Sequence, residues 1–205
     1  MLKNLNVDEF TAKTASNEPV PGGGSVAALS GALASSLGAM VANLTIGKKK
    51  YIEVEEDMKK IASSFEDKRV TLLNLIDEDA ESFNAVMKGF KLPKETDEDK
   101  KTRKEYLQKS FKEAAKVPLE IAAVSAELFD GIEILVKKGN QNAVTDGLVA
   151  AMMARTAILS ALLNVKINLG SIKDEEFVEA MNKKIEILEK LATNREEKIL
   201  ELVKF

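Results

Sequence analysis

Apolar residues recur at intervals of three and four along almost the whole chain, and no stretch alternates between apolar and polar residues. The first spacing places apolar side chains on one face of an α-helix, whereas alternation would indicate a β-strand. One clear stripe runs from Met58 to Phe90, and another runs from Phe177 to Ala192. The pattern therefore predicts an all-α protein.

Prolines, glycines and charged residues divide this pattern into six helical stretches. We predict helices at 7–15, 25–46, 52–90, 101–137 and 142–169, and a last one that begins near 171 or 174. Pro118 should kink or restart the fourth helix, because proline lacks the N–H of a helical hydrogen bond. No repeat or low-complexity linker separates these stretches, so residues 1–205 are predicted to form one helical domain.

The stretch 25–46 contains no charged residue and is about long enough to cross a bilayer. Its serines, glycines, Asn43 and Thr45 make it only weakly hydrophobic. The other small-residue-rich stretch, 142–169, carries Arg155 and Lys166, which are costly in lipid. We therefore expect two central helices in a helical bundle, packed closely on their neighbours, and no membrane span.

Composition removes several classes of chemistry. The chain has no Cys and no His, which excludes thiolate nucleophiles and the commonest transition-metal ligands, so no metal site is expected. The net charge of −3 makes nucleic-acid binding unlikely. The first apolar run is broken by Lys3 and Asp8, so no secretory signal is visible and we expect a cytoplasmic protein. Any catalysis should depend on carboxylates.

Three glycines, Gly22, Gly23 and Gly24, follow Pro21 and lead through Ser25 into the uncharged helix. Free N–H groups at a helix N-terminus favour an anion, and glycine lets a ligand approach the backbone closely. The loop could thus bind a carboxylate or phosphate. It could equally be a tight turn that lets two helices pack, because it lacks the Walker lysine and the preceding strand of a dinucleotide turn.

Polar residues lie where helix 142–169 should be apolar. Asn142, Asp146, Ser160, Asn164 and Asn168 fall on one stripe at about 100° per residue. This pattern predicts a buried hydrogen-bonding wall that contains one carboxylate. Alternatively, Asp146, with Thr145 before it, could simply cap the helix.

Asp79 shows a similar anomaly, since it lies on the apolar face of the third helix. A carboxylate in such surroundings either pairs with a cation or has a raised pKa suited to acid–base chemistry, and both remain open.

Asn43 shares a face of the second helix with Ser25. The lysines that follow, including Lys49, could attract an anionic group or could be a solvated helix end.

Several separated segments together resemble the formiminotetrahydrofolate cyclodeaminase / methenyltetrahydrofolate cyclohydrolase family. They are residues 15–29 with Pro-Gly-Gly-Gly-Ser, 40–45, Asp79 with Phe83, 117–119, 139–151 with Thr145-Asp146, and 164–169. The resemblance covers nearly the whole chain. Thr145 stands where that family would have Ser, and this difference keeps the hydroxyl.

The resemblance implies a helical homodimer that acts on a folate-bound one-carbon unit as its small-molecule substrate. A cyclodeaminase converts 5-formiminotetrahydrofolate to 5,10-methenyltetrahydrofolate and ammonia, whereas a cyclohydrolase opens the methenyl compound to 10-formyltetrahydrofolate. Both reactions require proton transfer and a negative environment for a cationic carbon centre. The sequence does not separate them.

From these residues we predict one folate cleft. Asp146 would be the main acid–base group and Asp79 a second carboxylate. The substrate-binding residues would be Gly22, Gly23, Gly24, Ser25, Asn43, Lys49, Asn142, Thr145 and Asn168. Of these, the glycine loop and Lys49 would hold an anionic part of the folate, and the asparagines would hold the pterin or amidine.

The competing hypothesis is a helical dimer or folate-binding scaffold without catalysis. It predicts that both carboxylates pair with cations and that no polar cavity lies between the helices.

Overall fold

The computed structural model describes residues 1–204, which contain seven α-helices and three short 3-10 segments and no β-strand. In chain order the helices are α1 (Val7–Thr14), α2 (Gly23–Asn43), α3 (Glu55–Phe90), α4 (Asp97–Ala126), α5 (Leu128–Lys138), α6 (Val144–Leu169) and α7 (Glu175–Leu200). The predicted all-α class is confirmed. One buried apolar cluster includes residues from all seven helices.

Side-chain caps explain where several helices begin. The side chains of Asn6 and Thr96 each accept a hydrogen bond from the backbone N–H three residues later. The carboxylates of Glu9 and Asp99 accept from the N–H groups of Asn6 and Thr96, which completes a capping box at each helix. Asp174 accepts a bond from the Phe177 N–H at 3.0 Å, which selects Asp174 as the cap of α7. Each cap satisfies an N–H group that the helix itself leaves unpaired.

The prediction that the fourth helix restarts at Pro118 is wrong. Helix α4 continues through Pro118, whose ring is buried, and the break between α4 and α5 lies at Glu127. Proline removes only its own N–H donor, and packing of the ring in the core retains the helix around it.

Helices α2 and α6 lie at the centre, as the small-residue pattern predicts, and their small side chains permit close contacts. A Cβ at Gly38 would lie 2.1 Å from the Phe65 ring, so only glycine fits where α2 meets α3. The Ser35 hydroxyl donates to the Phe65 carbonyl at 2.6 Å, which satisfies a buried polar group.

Helices α2 and α6 run antiparallel. Gly23 at the start of α2 adjoins Asn164 near the end of α6. At the opposite end, the Asn140 N–H donates to Thr45 Oγ1 at 2.9 Å and the Asn140 side chain donates to the Leu44 carbonyl at 3.1 Å. Residues at opposite ends of α6 are therefore separated by the length of the helix.

Both central helices are long and apolar enough to span a membrane by length and hydropathy, within Gly23–Asn43 and Gln141–Leu169. About half of each apolar window is buried inside the fold, at 56% and 50%. The central helix of a folded bundle has this composition, because it contacts neighbours on several sides.

Candidate functional site

A cavity of about 380 Å³ opens beside the start of α2, and we call it the glycine-loop pocket. The loop before α2, the C-terminal third of α3, the middle of α4 and the end of α6 enclose it. Its polar lining includes Gly22–Gly24, Asp79, Ser82, Asn164 and Asn168, and its apolar lining includes Phe83, Val86, Met87, Phe90 and Phe111. A volume of this size suits a small-molecule ligand.

Asp79 lies against the N-terminus of α2. The Ser25 hydroxyl is 3.0 Å from Asp79 Oδ2 and 3.0 Å from the Ile76 carbonyl oxygen, and the Ser25 backbone also bonds to the Asp79 carboxyl. A Cβ at Gly24 would lie 2.0 Å from Asp79 Oδ1, so the carboxylate occupies the space that a side chain would need. The anion at this helix N-terminus is therefore the protein's own Asp79.

Burial raises the pKa of Asp79 above its ordinary value, although the hydrogen bonds from Ser25 act in the opposite direction. Desolvation penalises the charged form of a carboxyl, and here it outweighs those bonds. Among the salt bridges within residues 1–204, none involves Asp79. Of the two possibilities open for Asp79, the structure favours a raised pKa over a cation partner.

The end of α6 supplies two amides to the same pocket. Asn168 Nδ2 donates to the Ala114 carbonyl at 2.9 Å and to the Asn164 carbonyl at 2.8 Å, and Asn164 Nδ2 donates to the Ser160 carbonyl at 2.9 Å. Backbone carbonyls accept from both N–H groups of Asn168 Nδ2 and from one of Asn164 Nδ2, and the side-chain oxygens are left to accept bonds. With Asp79 they give the pocket an acceptor-rich wall, which complements a ligand with N–H groups or positive charge.

An aromatic wall forms the opposite side of the pocket. The Phe90 and Phe111 rings meet edge to face with centroids 6.1 Å apart, and Phe83 lies about two helical turns before Phe90 on α3. The Phe90 ring is 49% exposed, so it offers a free surface to a flat ligand.

Five predicted site residues lie elsewhere, at what we call the distal end, the segments 43–51 and 139–146. They are Asn43, Lys49, Asn142, Thr145 and Asp146, and all but the half-buried Asp146 are exposed. Asp146 lies in the first turn of α6, 22 residues before Asn168, which corresponds to about 33 Å along the helix. The prediction that these residues share one cleft with the glycine loop is therefore wrong for a single chain.

The expectation that the glycine loop and Lys49 together hold one anion is wrong within one chain for the same reason. The alternative that Asp146 or Thr145 caps α6 is also wrong, because the N-cap is Ala143 and no side-chain cap bond is present. Asp146 forms no salt bridge with any residue in 1–204.

Several pocket residues were not in the predicted site. Asn164 was visible as a member of the polar stripe on helix 142–169, and Phe83 and Phe90 were visible as members of an apolar stripe that was assigned to the core. Phe111 carried no comparable signal. Within residues 1–204, no group of three or more potential metal-ligating side chains lies together.

The sequence matches the family model described as formiminotransferase-cyclodeaminase over residues 6–187. The chain belongs to this family. It is 43% identical over 204 residues to the methenyltetrahydrofolate cyclohydrolase of Methylorubrum extorquens, covering 100% of this chain and 98% of that protein. It is also 34% identical to the formimidoyltransferase-cyclodeaminase of Sus scrofa over 87% of this chain, but it spans only 33% of that longer protein.

A solved structure also has this fold. The formiminotetrahydrofolate cyclodeaminase of Thermotoga maritima superposes with a TM-score of 0.88 and 34% sequence identity, covering 98% of this chain and 97% of that one. The predicted family membership is thus confirmed by both sequence and structure.

Proposed function

We propose that this protein is an enzyme of folate one-carbon metabolism that forms or opens the 5,10-methenyl ring of tetrahydrofolate. The observation that carries the proposal is the glycine-loop pocket, in which the half-buried carboxyl of Asp79 forms no salt bridge within residues 1–204 and lines the same cavity as the amides of Asn164 and Asn168. The scaffold hypothesis predicts that both carboxylates pair with cations and that no polar cavity lies between the helices. Within residues 1–204, neither Asp79 nor Asp146 forms a salt bridge, and the glycine-loop pocket is a polar cavity.

The two walls of the pocket suit the two parts of such a substrate. The flat pterin and aminobenzoyl rings would lie against Phe83, Phe90 and Phe111. The cationic amidine carbon would face the acceptor oxygens of Asp79, Asn164 and Asn168, which stabilise positive charge.

Asp79 would transfer the proton in either reaction. In cyclohydrolysis water attacks the methenyl carbon and loses a proton to the Asp79 carboxylate, while the bond from that carbon to N5 breaks and N5 takes up a proton. In cyclodeamination N10 attacks the carbon of the protonated formimino group, and Asp79 takes the proton from N10 and passes it to the formimino nitrogen. The bond from the carbon to that nitrogen then breaks, and ammonia leaves. A raised pKa suits both reactions, because a general acid–base group is most effective when its pKa lies near the working pH, and burial moves the pKa of Asp79 in that direction.

The test is a pair of assays on the purified protein. One supplies 5-formiminotetrahydrofolate and follows the appearance of the methenyl chromophore; the other supplies the methenyl compound and follows its loss. We expect turnover in at least one assay, and a loss of about 100-fold or more in Asp79→Asn, since general acid–base catalysis contributes 10²–10⁴-fold. Glu81→Gln, an exposed acid on the same helix, is the matched control and should retain wild-type turnover.

We also propose that the protein is a homodimer whose partner supplies the distal end. Helix α2 has no charged residue, and its exposed Val26, Leu33 and Met40 recur every seven residues on one side. Because α2 and α6 run antiparallel, a twofold axis across their middle would place the distal end of one copy beside the glycine-loop pocket of the other. Asp146 and Asn43 would then join Asp79 across the interface.

Complementation tests this arrangement. A mixture refolded from Asp79→Asn and Asp146→Asn chains forms mixed dimers in which one of the two shared sites has both native carboxylates. We expect each variant alone to be inactive and the mixture to recover about a quarter of wild-type turnover, the share that random pairing of the two chains gives. Full activity of Asp146→Asn alone would exclude Asp146 from the site.

The remaining assignments follow from this chemistry. The folate derivative is the substrate, and the proposed steps need no metal. A chain with no Cys and a net charge of −3 is consistent with a cytoplasmic enzyme that binds neither membranes nor nucleic acid.

A further inference from the structure

We propose that Ser25 is a positioning residue for Asp79, and that its hydroxyl changes acceptor with the protonation state of that carboxyl. The hydroxyl donates to Asp79 Oδ2 when the carboxyl is ionised, and to the Ile76 carbonyl oxygen when the carboxyl carries a proton. This inference rests on the proposed function, in which Asp79 is the acid–base group. It replaces the predicted role of Ser25 as a substrate-binding residue.

The Ser25 hydroxyl has one proton and two acceptors within reach. Its Oγ lies 3.0 Å from Asp79 Oδ2 and 3.0 Å from the Ile76 carbonyl oxygen, so distance favours neither bond. A hydroxyl has a single O–H donor and two lone pairs. It therefore donates to one of these oxygens at a time, and its lone pairs can accept from Asp79 when that carboxyl is protonated.

This geometry satisfies both protonation states of Asp79. The ionised carboxyl accepts from the O–H and from the backbone N–H of Ser25. A carboxyl protonated on Oδ2 donates to Ser25 Oγ, and the Ser25 O–H turns to the Ile76 carbonyl. Only the hydroxyl proton rotates, and no heavy atom has to move. A half-buried acid that gains and loses a proton in each turnover thus avoids the cost of an unpaired polar group.

Ser25 does not reach the space that a substrate would occupy. It is 0% exposed, and within residues 1–204 the lining of the glycine-loop pocket includes Gly22–Gly24 and Asp79 but not Ser25. Its hydroxyl is enclosed between α2 and α3 and contacts the pocket only through the Asp79 carboxyl. Any effect of this hydroxyl on the reaction is therefore an effect on Asp79.

Ser35 shows the same contact without a carboxylate. It is also a 0% exposed serine of α2, and its hydroxyl donates to the carbonyl of Phe65 on α3 at 2.6 Å. That bond is shorter than the one from Ser25 to Ile76, which Ser25 shares with Asp79. Because Ser35 joins the same two helices through a backbone carbonyl, Ser35→Ala is the matched control for Ser25→Ala.

The surroundings of Asp79 contain few other charges. Within residues 1–204, Asp79 is the one titratable side chain that lines the pocket, since the loop, α2, α4 and α6 contribute only uncharged residues. Of its neighbours on α3, Glu78 is exposed and Asp77 accepts the N–H of Leu2. In the proposed homodimer, Asp146 of the partner subunit would add a second carboxylate, so the titrations below are repeated in Asp146→Asn.

The first test follows the Asp79 carboxyl by carbon-13 NMR of the protein alone, with Asp79→Asn to assign its resonance. Burial raises the pKa of Asp79 and the bonds from Ser25 lower it, so Ser25→Ala should move this titration to higher pH. In the wild type the Ile76 carbonyl resonance should follow the same titration, because it gains and loses the bond from Ser25. That response should disappear in Ser25→Ala.

Ser35→Ala should leave both titrations at their wild-type positions, and Asp146→Asn should preserve the effect of Ser25→Ala. Ser25→Cys, a second variant of similar size with only a weak donor, should move the Asp79 titration in the same direction if Ser25→Ala does not fold. An unchanged Asp79 titration, or an equal movement in Ser35→Ala, would overturn the positioning role. An Ile76 resonance that does not follow Asp79 in the wild type would overturn the change of acceptor.

Kinetics test the consequence for turnover. Ser25→Ala should lower kcat by about tenfold, less than the 10²–10⁴-fold contribution of a general acid–base group, because the carboxyl itself remains. KM should stay within about twofold of the wild type, since the hydroxyl does not contact the substrate. The limb of the pH profile that Asp79 governs should move to higher pH. Ser35→Ala should lower only the Tm. A raised KM with unchanged kcat in Ser25→Ala would identify a substrate ligand and reject the proposal.

The two measurements separate this proposal from the proposed function. If no turnover is found, or if Asp79→Asn is fully active, the enzymatic proposal fails. The NMR titrations need no substrate, so they still determine whether Ser25 controls the protonation of Asp79.

Discussion

Gly24 and Asp79 share one small volume at the start of α2. The carboxylate lies where the Cβ of any other residue at position 24 would be, 2.0 Å from that point. Through Ser25 the same carboxylate satisfies N–H and O–H donors at the helix N-terminus. The position of the Asp79 carboxyl therefore requires glycine at position 24.

Gly24→Ala tests this contact. The new methyl group must displace the Asp79 carboxyl, so we expect a loss of about 1–3 kcal/mol in the free energy of unfolding, the usual effect of overpacking. A displaced acid–base group should also lower kcat by about 100-fold. Urea unfolding and the methenyl assay measure the two effects.

Gly170→Ala is the control for this substitution. A Cβ at Gly170 would lie 3.6 Å from the nearest atom, the Ile167 carbonyl oxygen, which is an ordinary contact. We expect stability and turnover close to the wild type, and a loss equal to that of Gly24→Ala would show that the effect is not specific to the Asp79 contact.

Because the pKa of Asp79 is raised, we expect the effect of Asp79→Asn on thermal stability to depend on pH. A carboxyl whose pKa is higher in the folded than in the unfolded state contributes stability below its unfolded pKa, and this is lost as pH rises through the folded pKa. Asp79→Asn removes the buried charge. The Tm of the variant relative to the wild type should therefore rise between pH 4 and pH 7.

Scanning calorimetry at four pH values measures this trend, with Glu81→Gln as the control for a change in net charge at an exposed site. A Tm difference for Asp79→Asn that falls as pH rises would contradict the raised pKa.

At the scale of elements, the N-terminus of α4 is fixed by the Thr96–Asp99 capping box. Thr96→Ala should lower the free energy of unfolding by about 1 kcal/mol, the usual value for a lost N-cap, and urea unfolding measures this loss.

Thr102→Ala changes the same residue type on the exposed side of α4, where the hydroxyl makes no hydrogen bond with residues 1–204. Thermal unfolding and KM measurements should place it close to the wild type. A loss of stability in Thr102→Ala equal to that in Thr96→Ala would show that the effect does not come from the lost cap.

The helices themselves were largely predictable from the sequence, because the period of 3.6 and the caps are local properties. The stretch predicted at 142–169 is observed as Val144–Leu169, and the one predicted at 7–15 is Val7–Thr14. The exception, the break at Glu127, has no glycine or proline to mark it, whereas Pro118 is tolerated inside a helix.

Only half of the site was predictable, because the site depends on how the helices pack against one another. Periodicity shows that Asp79 lies on an apolar face and that Asp146 and Asn168 share a stripe, but it does not show which helix ends meet. The antiparallel packing of α2 and α6 brings Asn168 to the glycine loop and takes Asp146 to the distal end. The tertiary arrangement, and not the local sequence pattern, determines which residues of α6 lie beside the glycine loop.

At the scale of the whole molecule, both central helices leave apolar side chains exposed. On α2 these include Leu33, which is 47% exposed, and on α6 they include Leu163, which is 66% exposed. Large exposed apolar surfaces on a folded protein indicate an interface, and the proposed homodimer would cover them.

Leu33→Glu should break that dimer, since it places an unpaired charge in a buried apolar surface. We expect light scattering to give the mass of one chain and turnover to fall, while circular dichroism still shows the full helical content. Ile187→Glu, at a position on α7 that is 64% exposed, should remain dimeric and active. A Leu33→Glu variant that stays dimeric would exclude this face as the interface.

The shared volume of Gly24 and Asp79 also restricts how the sequence can change. A side chain at position 24 is accommodated only after residue 79 has become smaller, and that first step removes the carboxyl on which turnover is proposed to depend. If position 24 changes first, the new side chain displaces the Asp79 carboxyl, so this order also begins with a loss of the proposed acid–base group. No path of single substitutions through active intermediates leads away from this pair, so descendants that keep the activity are expected to inherit both residues together.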